Sequence, residues 1–328
     1  MDRVTNVGQG SEHPLAASNR AMFKRLKKQG TLRSYNSLEV KFRKFCQEKN
    51  FTCVPAAPDT VIAFMNLMLE EGYARSTICS SAMGAIAAIH KERDVDSPTT
   101  HPRVIEMKKI ITTHTPCPRP KKTMTHAVLE KFILVMDTES KLDTRDLFLF
   151  ELMLAALLRE SEAMNLLLQD VQIMTIDGKK VLVILVETSK TDQGGTGDCI
   201  IVEENLAHPL RCVVSWFLRY LEFRGVSQSP FLFVPSHDGM RRTKTAESKL
   251  NDALPNERLK AWCRRAQLDQ SEWSSHSMRH GGATAAAAAG ICERLIKLHG
   301  RWRSDCVRVY IHESPQARLA VSRAIGNA

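Results

Sequence analysis

A stretch in the middle of this 328-residue chain, RDLFLFELMLAALLRESEAMNLL (145–167), is apolar on nearly every helical face along most of its length. A helix of this kind has to be enclosed by other parts of the chain, because no broad polar face is left to meet water. Its longest apolar run, Leu147–Leu158, is interrupted by Glu151 and is too short to cross a bilayer. The stretch therefore predicts the core helix of a helical domain.

The sequence period changes directly after this helix. VQIMTIDGKKVLVILVET contains two β-branched runs joined by Asp177–Gly178, a strong hairpin signal. CIIVEE (199–204) supplies a third strand, and helical patterns resume with PLRCVVSWFLRYLEFRG. The fold class predicted for the chain is mainly α with a small antiparallel β-sheet.

The front part of the chain is predicted to be wholly helical. Tyr35, Leu38 and Phe42 follow helical spacing, and Asp59 is placed to cap a second helix. Two further helices are expected, one from Ser76 and one over HPRVIEMKKII. These patterns indicate a compact four-helix domain.

Polar composition and proline content set the domain boundaries. Residues 1–30 are polar and are expected to form a flexible arm. The four-helix domain covers 31–113, and HTPCPRPKKTMT (114–125) has the prolines and basic run of an interdomain linker. The second domain and a C-terminal tail take up 126–328.

Positive charge is concentrated in the front of the chain. Residues 1–122 hold 20 Lys and Arg against 11 Asp and Glu, a net charge of +9, whereas 123–328 hold 26 against 25, a net charge of +1. Such a bias favours nucleic acid or an acidic membrane surface, although it also occurs in domains that are merely well solvated. The sequence has no amphipathic helix with a broad aromatic face, so nucleic acid is the better candidate.

Cysteine usage and the N-terminal sequence indicate an intracellular, unsecreted protein. Nine cysteines occur with no CxxC pair, which fits reduced thiols. A zinc site is therefore not expected. The beginning, MDRVTNVGQGSEHP, has no apolar signal region.

The segment SSHSMRHGGATAAAAAG (274–290) places two hydrogen-bond donors before a run of alanines. His276 and Arg279 are three residues apart, so they share a face of a helix. Alanine is a strong helix former with little bulk, which lets the helix press closely against its neighbours. The pattern is typical of a rigid helix that holds two polar groups in place, although it also fits an ordinary helix start with a capping histidine and a solvated arginine.

Four motifs, taken in order, extend this observation. They are LLRESEAMNLLLQDV with Arg159 and Glu162, ETSKTD with Lys190, HSMRH, and GRWRSDCVRVYIH with Tyr310 nine residues after Arg301. Their order and spacing resemble the catalytic domain of the tyrosine recombinase, or phage integrase, family. RSYNSLEVKFRKFCQEK and RSTICSSAMGAIAAIHKE are similar to helices of the family's core-binding domain, so the resemblance covers about residues 31–315.

The resemblance implies a two-domain recombinase that cuts DNA through a 3′-phosphotyrosyl intermediate, with no metal and no other cofactor. Tyr310 would be the nucleophile and Lys190 the general acid, and His276 would donate to the phosphate and mediate proton transfer. Arg159 and Arg279 would each present a guanidinium fork to the non-bridging oxygens. The expected supporting side chains are Glu162, His280 and Trp302, and the expected DNA contacts are Arg43, Lys44, Arg75, Lys121 and Lys122.

The last motif departs from the usual pattern. Most bacterial members have a histidine directly after the glycine, whereas this chain has Arg301 followed by Trp302. The GRW form looks like that of eukaryotic mobile-element recombinases of the DIRS and crypton kind, which implies a nuclear location. Arg301 is expected to replace the histidine as a phosphate donor, with Trp302 as the competing candidate.

The resemblance further implies double-stranded DNA as partner and assembly into a tetramer on two DNA sites. Two alternatives stay open. A type IB topoisomerase shares the same chemistry, and a recombinase-derived protein that only binds DNA would keep the fold without the activity.

Overall fold

A computed structural model describes residues 29–116, 119–187, 197–225, 229–235, 249–311 and residue 323. The chain forms two compact units, Met1–Pro118 and Arg119–Ala328. Residues 1–28 of the predicted arm, the hairpin-tip residue Lys190 and nearly all of the predicted C-terminal tail lie outside the described residues. The last two residues of that arm, Gln29 and Gly30, instead begin the first helix.

The described part of the first unit is helical. A π-helical turn, Thr77–Ala82, leads directly into the third helix. The helices are α1 (Gln29–Glu48), α2 (Pro58–Glu70), α3 (Met83–Lys91) and α4 (Pro102–His114). The four predicted helices are therefore present. The predicted cap is wrong: α2 begins at Pro58 with no side-chain capping bond, and the Asp59 carboxylate instead pairs with Arg103 at 2.7 Å.

Aromatic and sulfur-containing side chains fill the core of this unit. The ring of Phe42 on α1 meets that of Phe64 on α2 edge to face, with centroids 5.0 Å apart. Met65, Met68 and Ile86 are fully or almost fully buried beside them. Because burial of one such side chain contributes about 1.5–3 kcal/mol, this core accounts for the independent packing of the unit.

The second unit combines helices with one small sheet. Its described helices are α5 (His126–Leu134), α6 (Lys141–Ala155), α7 (Glu160–Asn165), α8 (Val213–Arg224), α9 (Leu254–Arg265), α10 (His276–Ala288) and α11 (Glu293–Gly300). A short 3-10 helix, Asp305–Val309, follows α11. In the described parts of both units, no helix is both long enough and apolar enough to cross a bilayer.

The sheet has strand order β1-β2-β3, with β1 Val171–Ile176, β2 Lys179–Val186 and β3 Asp198–Glu203. Both pairings are antiparallel, with Val171 opposite Ile184 and Ile184 opposite Ile200. Asp177 and Gly178 both have positive φ angles, 50° and 78°, as the tight turn between β1 and β2 requires. The mainly helical fold with a small antiparallel sheet is thus confirmed.

Helix α6 is the core helix that the sequence predicted. Every residue from Asp143 to Leu154 is buried. Its buried acid Asp146 accepts hydrogen bonds from Arg258 Nε (2.5 Å) and Trp262 Nε1 (3.0 Å) of α9. These bonds compensate the desolvation of the carboxylate and attach α9 to the centre of the unit.

Two adjacent glycines let α10 approach its neighbours more closely than alanine would. A Cβ added at Gly281 would lie 1.9 Å from the Met124 carbonyl oxygen, and one at Gly282 would lie 2.2 Å from the Leu154 carbonyl oxygen. Since neither backbone contact has room for a methyl group, α10 is held between residue 124 and the end of α6. This placement brings Arg279 to the end of α6.

Candidate active site

The end of α6 is the base of the site. Leu158 N donates to Met153 O at 3.1 Å, and Leu157 adopts a left-handed conformation with φ of 49°. This conformation costs a residue other than glycine about 1–2 kcal/mol. It turns the Leu157 carbonyl toward two guanidinium groups, those of Arg279 and Arg301.

Arg159 follows immediately and precedes the first residue of α7. Its backbone N–H donates to Glu162 Oε2 at 2.9 Å, and its Nη1 donates to Glu162 Oε1. One carboxylate thus fixes both the backbone and the side chain of Arg159. The arginine side chain keeps some exposure at 13%, whereas Glu162 is buried.

Arg279 is fully buried three residues into α10. Its Nη1 donates to Leu157 O and its Nη2 to Gly300 O, while Nε has no hydrogen-bond partner among the described residues. The ring of Trp302 covers the guanidinium at 4.0 Å. Burial, and next the charge of Arg159, lowers the pKa of Arg279 below its usual value.

Arg301 is also buried, and it too has a left-handed backbone, with φ of 57°. Its Nη1 donates to Ala156 O (3.3 Å) and His299 O (3.0 Å). Its Nη2 donates to Leu157 O (3.1 Å) and Glu162 Oε2 (2.7 Å). The guanidinium therefore binds the ends of α6 and α11 together.

Glu162 lies among three arginines. Burial alone would raise the pKa of its carboxyl, but Arg301 and Arg159 hold that pKa below its usual value. Arg279 Nη1 lies 3.9 Å from the same carboxylate. Glu162 is therefore ionised at neutral pH and partly compensates a buried concentration of positive charge.

Tyr310 packs against side chains from the same cluster. Its ring centroid lies 4.3 Å from that of His280 and 5.1 Å from that of Trp302. The guanidinium carbon of Arg279 is 5.7 Å from the tyrosine ring. The indole Nε1 of Trp302 is buried without a hydrogen-bond partner among the described residues, so it is a donor that lacks an acceptor.

The structure brings most of the expected site residues into one cluster. It consists of Arg159, Glu162, Arg279, His280, Arg301, Trp302 and Tyr310. His276 begins α10 with an exposed side chain, one helical turn from the buried Arg279. The Leu157 and Gly300 carbonyls were missed from the sequence, because backbone acceptors give no residue-type signal.

The five expected DNA contacts all make bonds within their own units. Arg43 Nε donates to Glu39 Oε1 at 2.8 Å, and Lys44 lies 3.6 Å from Glu48. Arg75 donates to Thr112 O at 3.1 Å. Lys121 Nζ donates to Ser271 O at 2.5 Å, and Lys122 pairs with Glu272 at 2.6 Å.

Known proteins resemble the chain in both sequence and fold. A curated relative, the integrase/recombinase XerD homolog of Selenomonas ruminantium, is 24% identical over 316 residues. The match covers 94% of this chain and 89% of the relative. The Tn1549 transposon integrase in complex with circular intermediate DNA has a TM-score of 0.63 at 16% identity, over 94% of this chain and 98% of that one. A lambda integrase dimer bound to a core site has a TM-score of 0.57 at 16% identity, over 92% and 95%.

The two-domain architecture of this chain is that of tyrosine recombinases. The profile of the phage integrase family matches residues 122–317, which include the whole cluster around Glu162 and Tyr310. This match extends over more than half of the sequence, and the chain therefore belongs to the phage integrase family.

Proposed function

We propose that the chain is a site-specific DNA recombinase that cuts and rejoins strands through a 3′-phosphotyrosyl intermediate. The observation that carries the proposal is the packing of Tyr310 beside Arg279, His280 and Trp302 of the same chain. A nucleophile, a buried cation and an unused N–H donor are thus within one cluster. This is the set of groups that transesterification at a phosphate needs.

In the proposed mechanism, the Tyr310 hydroxyl gives up its proton, with His276 mediating that transfer, and its oxygen attacks the scissile phosphorus while the bond from phosphorus to the 5′ oxygen breaks. Arg159 and Arg279 stabilise the negative charge that develops on the non-bridging oxygens. Glu162 orients the Arg159 guanidinium through the bond from Nη1 to Oε1. His276 is a further phosphate donor at the exposed beginning of α10, and Lys190 protonates the leaving oxygen.

For the phosphate donor that replaces the histidine of the last motif, we favour Trp302 over Arg301. Each terminal nitrogen of Arg301 donates two hydrogen bonds, so all four of its terminal N–H groups are in use, whereas each terminal nitrogen of Arg279 donates only one within the described part of the chain. Trp302 Nε1 has no partner among the described residues, and the indole ring lies directly over Arg279. A phosphate oxygen would supply the acceptor that this N–H lacks.

Double-stranded DNA is the proposed partner, and a tetramer on two DNA sites is the proposed assembly. The net charge of +9 in residues 1–122 supports binding to a polyanion. The GRW sequence of residues 300–302 supports a role in integration or excision of a eukaryotic mobile element of the DIRS or crypton kind, with action in the nucleus.

The decisive test is a covalent complex with DNA. The wild-type chain is first incubated with host genomic DNA and then denatured. Sequencing of the fragments that stay attached to the protein defines the target. A nicked duplex of that sequence should then leave protein on a 3′ phosphate, seen as a slower band on a denaturing gel. Tyr310→Phe should bind DNA normally and give no band, while Tyr73→Phe, on the surface of the first unit, should give the wild-type band.

The same assay separates the alternatives. A protein that only binds DNA forms no adduct, and a type IB topoisomerase forms one but exchanges no strands between two duplexes. Chelator should leave the band unchanged, because the proposed chemistry uses no metal. A band that survives Tyr310→Phe would show that another residue is the nucleophile.

A further inference from the structure

One hydrogen bond connects the immediate neighbours of two proposed phosphate-binding residues. Glu160 follows Arg159 and is the first residue of α7, whereas Ser275 directly precedes His276. Ser275 Oγ donates to Glu160 Oε1, across 115 residues of sequence. The bond therefore joins the beginning of α7 to the beginning of α10.

The Ser275 hydroxyl does not act as a helix cap. Ser275 has a helical backbone, with φ of −56° and ψ of −31°, and makes no side-chain capping bond to α10. Its side chain is buried, and its backbone N–H donates to Asn256 Oδ1 of α9 at 3.3 Å. The residue thus connects α10 to two other helices, and its hydroxyl is directed to the carboxylate of Glu160.

Other bonds hold the same segment in place independently. Met124 N donates to Ser277 O at 2.9 Å, and Ser274 N donates to Ser277 Oγ at 3.1 Å. Lys122 N also donates to Glu272 O at 2.8 Å. Loss of the bond between Glu160 and Ser275 should therefore leave α10 folded but free to shift at its first turn.

We propose that Glu160 and Ser275 are a positioning pair that sets the separation between Arg159 and His276 at the scissile phosphate. This inference rests on the proposed recombinase function. Two donors from distant parts of the sequence can bind one phosphate together only if their separation is fixed, and a misplacement of about 1 Å can slow a reaction about 100-fold. Neither residue of the pair touches the phosphate itself.

The test uses the full-length chain and the nicked target duplex, and measures the single-turnover rate of adduct formation at saturating DNA. Ser275→Ala and Glu160→Leu should each slow that rate by about 10–100-fold. DNA affinity and melting temperature should stay close to those of the wild type. The double variant should be no slower than the worse single variant, because each change breaks the same bond.

Conservative variants separate geometry from charge. Ser275→Thr keeps the hydroxyl and Glu160→Gln keeps an acceptor, so each should recover most of the rate. Ser161→Ala, an exposed serine next to Glu160 on α7, is the matched control and should react like the wild type.

A second substrate distinguishes positioning from general damage to the fold. A methylphosphonate at the scissile position replaces one non-bridging oxygen by a methyl group and removes its charge, so correct placement of the cationic donors matters less. The rate loss caused by Ser275→Ala should shrink on this substrate. A loss of the same size on both substrates, or losses that multiply in the double variant, would overturn the pair's role.

The outcomes for the pair and for the proposed function are distinguishable. If the wild type forms an adduct and the Ser275 and Glu160 variants react equally fast, the positioning pair is wrong and the recombinase proposal stands. If the wild type itself forms no adduct, both proposals fall.

Discussion

Arg301 Nη2 and Glu162 Oε2 form an ion pair of 2.7 Å in which both side chains are almost completely excluded from solvent. Removal of Arg301 would leave Glu162 beside Arg159 and Arg279, but the carbonyl oxygens of Ala156 and His299 would each lose a donor. The ion pair therefore indicates that the main role of Arg301 is to stabilise the site. It also explains why an arginine is compatible with a buried position after α11.

Arg301→Ala should accordingly lower the free energy of unfolding by about 2–6 kcal/mol, because each of the two carbonyl acceptors left without this donor costs about 1–3 kcal/mol. Urea denaturation measures the loss. Arg308→Ala is the matched control, because Arg308 also pairs with a glutamate, Glu293, but with 69% of its side chain exposed. Solvent screens an exposed pair, so Arg308→Ala should change the free energy of unfolding far less than Arg301→Ala. Equal stability losses in the two variants would show that the buried pair has no special role.

Trp302→Phe should keep the fold and slow cleavage. The phenyl ring can still cover Arg279, but the Nε1 donor is lost, and removal of one transition-state donor typically costs about 10²–10³ in rate. Trp216→Phe is the control, since the Trp216 side chain is buried and its Nε1 already donates to Leu210 O at 3.0 Å. If folded Arg301→Ala protein instead lost more cleavage than Trp302→Phe, Arg301 would be the phosphate donor.

Gly281→Ala should destabilise the second unit although alanine has the higher helix propensity. The added methyl group would lie 1.9 Å from the Met124 carbonyl oxygen, so α10 or the backbone at residue 124 has to move. Thermal melting measures the effect. Ala285→Gly, at an exposed position of the same helix, should cost only about 1 kcal/mol, and a smaller loss for Gly281→Ala than for this control would contradict the close approach.

The free energy of unfolding should fall as pH rises, because the folded chain keeps the Glu151 carboxyl protonated. Burial raises the pKa of this carboxyl to about 8, and His126 Nδ1 lies 3.8 Å away. From about pH 4.5 upward the unfolded chain releases this proton while the folded chain retains it, so stability falls until the pH passes about 8.

Glu151→Gln should remove this loss and raise stability at pH 9 by an amount on the order of 4 kcal/mol, with little effect at pH 4.5. Denaturation at several pH values measures it. The exposed Glu222→Gln should change stability little at any pH. A gain for Glu151→Gln that does not grow with pH would mean that Glu151 is ionised in the folded chain.

DNA affinity should fall steeply with salt, because bound phosphates release counterions. Arg43→Gln or Lys44→Gln should each reduce the slope of log K against log salt by about 1 if the residue contacts a phosphate. Lys41→Gln on the same helix is the control, since only 27% of the Lys41 side chain is exposed, against 41% for Arg43 and 73% for Lys44. A flat salt response in the wild type would count against phosphate binding by the basic front unit.

Much of the fold could be predicted from local sequence. The buried helix α6 follows from an all-round apolar pattern, and the β1-β2 hairpin follows from Asp177–Gly178 between β-branched runs. Both signals are carried by neighbours in the chain. The misassigned cap at Asp59 shows the limit, because a carboxylate near a helix start can pair with a distant arginine instead of the backbone.

The site could be predicted only in part. The motifs identified side chains that the fold brings together, such as Arg279 and Tyr310. They did not reveal that His276 would be exposed and Arg279 buried on the same helical turn, since burial depends on what packs against α10. The bond between Glu160 and Ser275 spans two motifs, so neither motif alone indicates it.

The carbonyl of Leu157, which accepts from both Arg279 and Arg301, has a consequence for how the site can be studied. Substitution of a side chain cannot delete a backbone oxygen. A complete mutational scan would therefore report only how residue 157 packs and how well it tolerates a left-handed φ. The oxygen's contribution becomes visible only by semisynthesis, for example with an ester or thioamide in place of the amide. Ordinary substitutions therefore cannot test the acceptor that binds both arginines of the site.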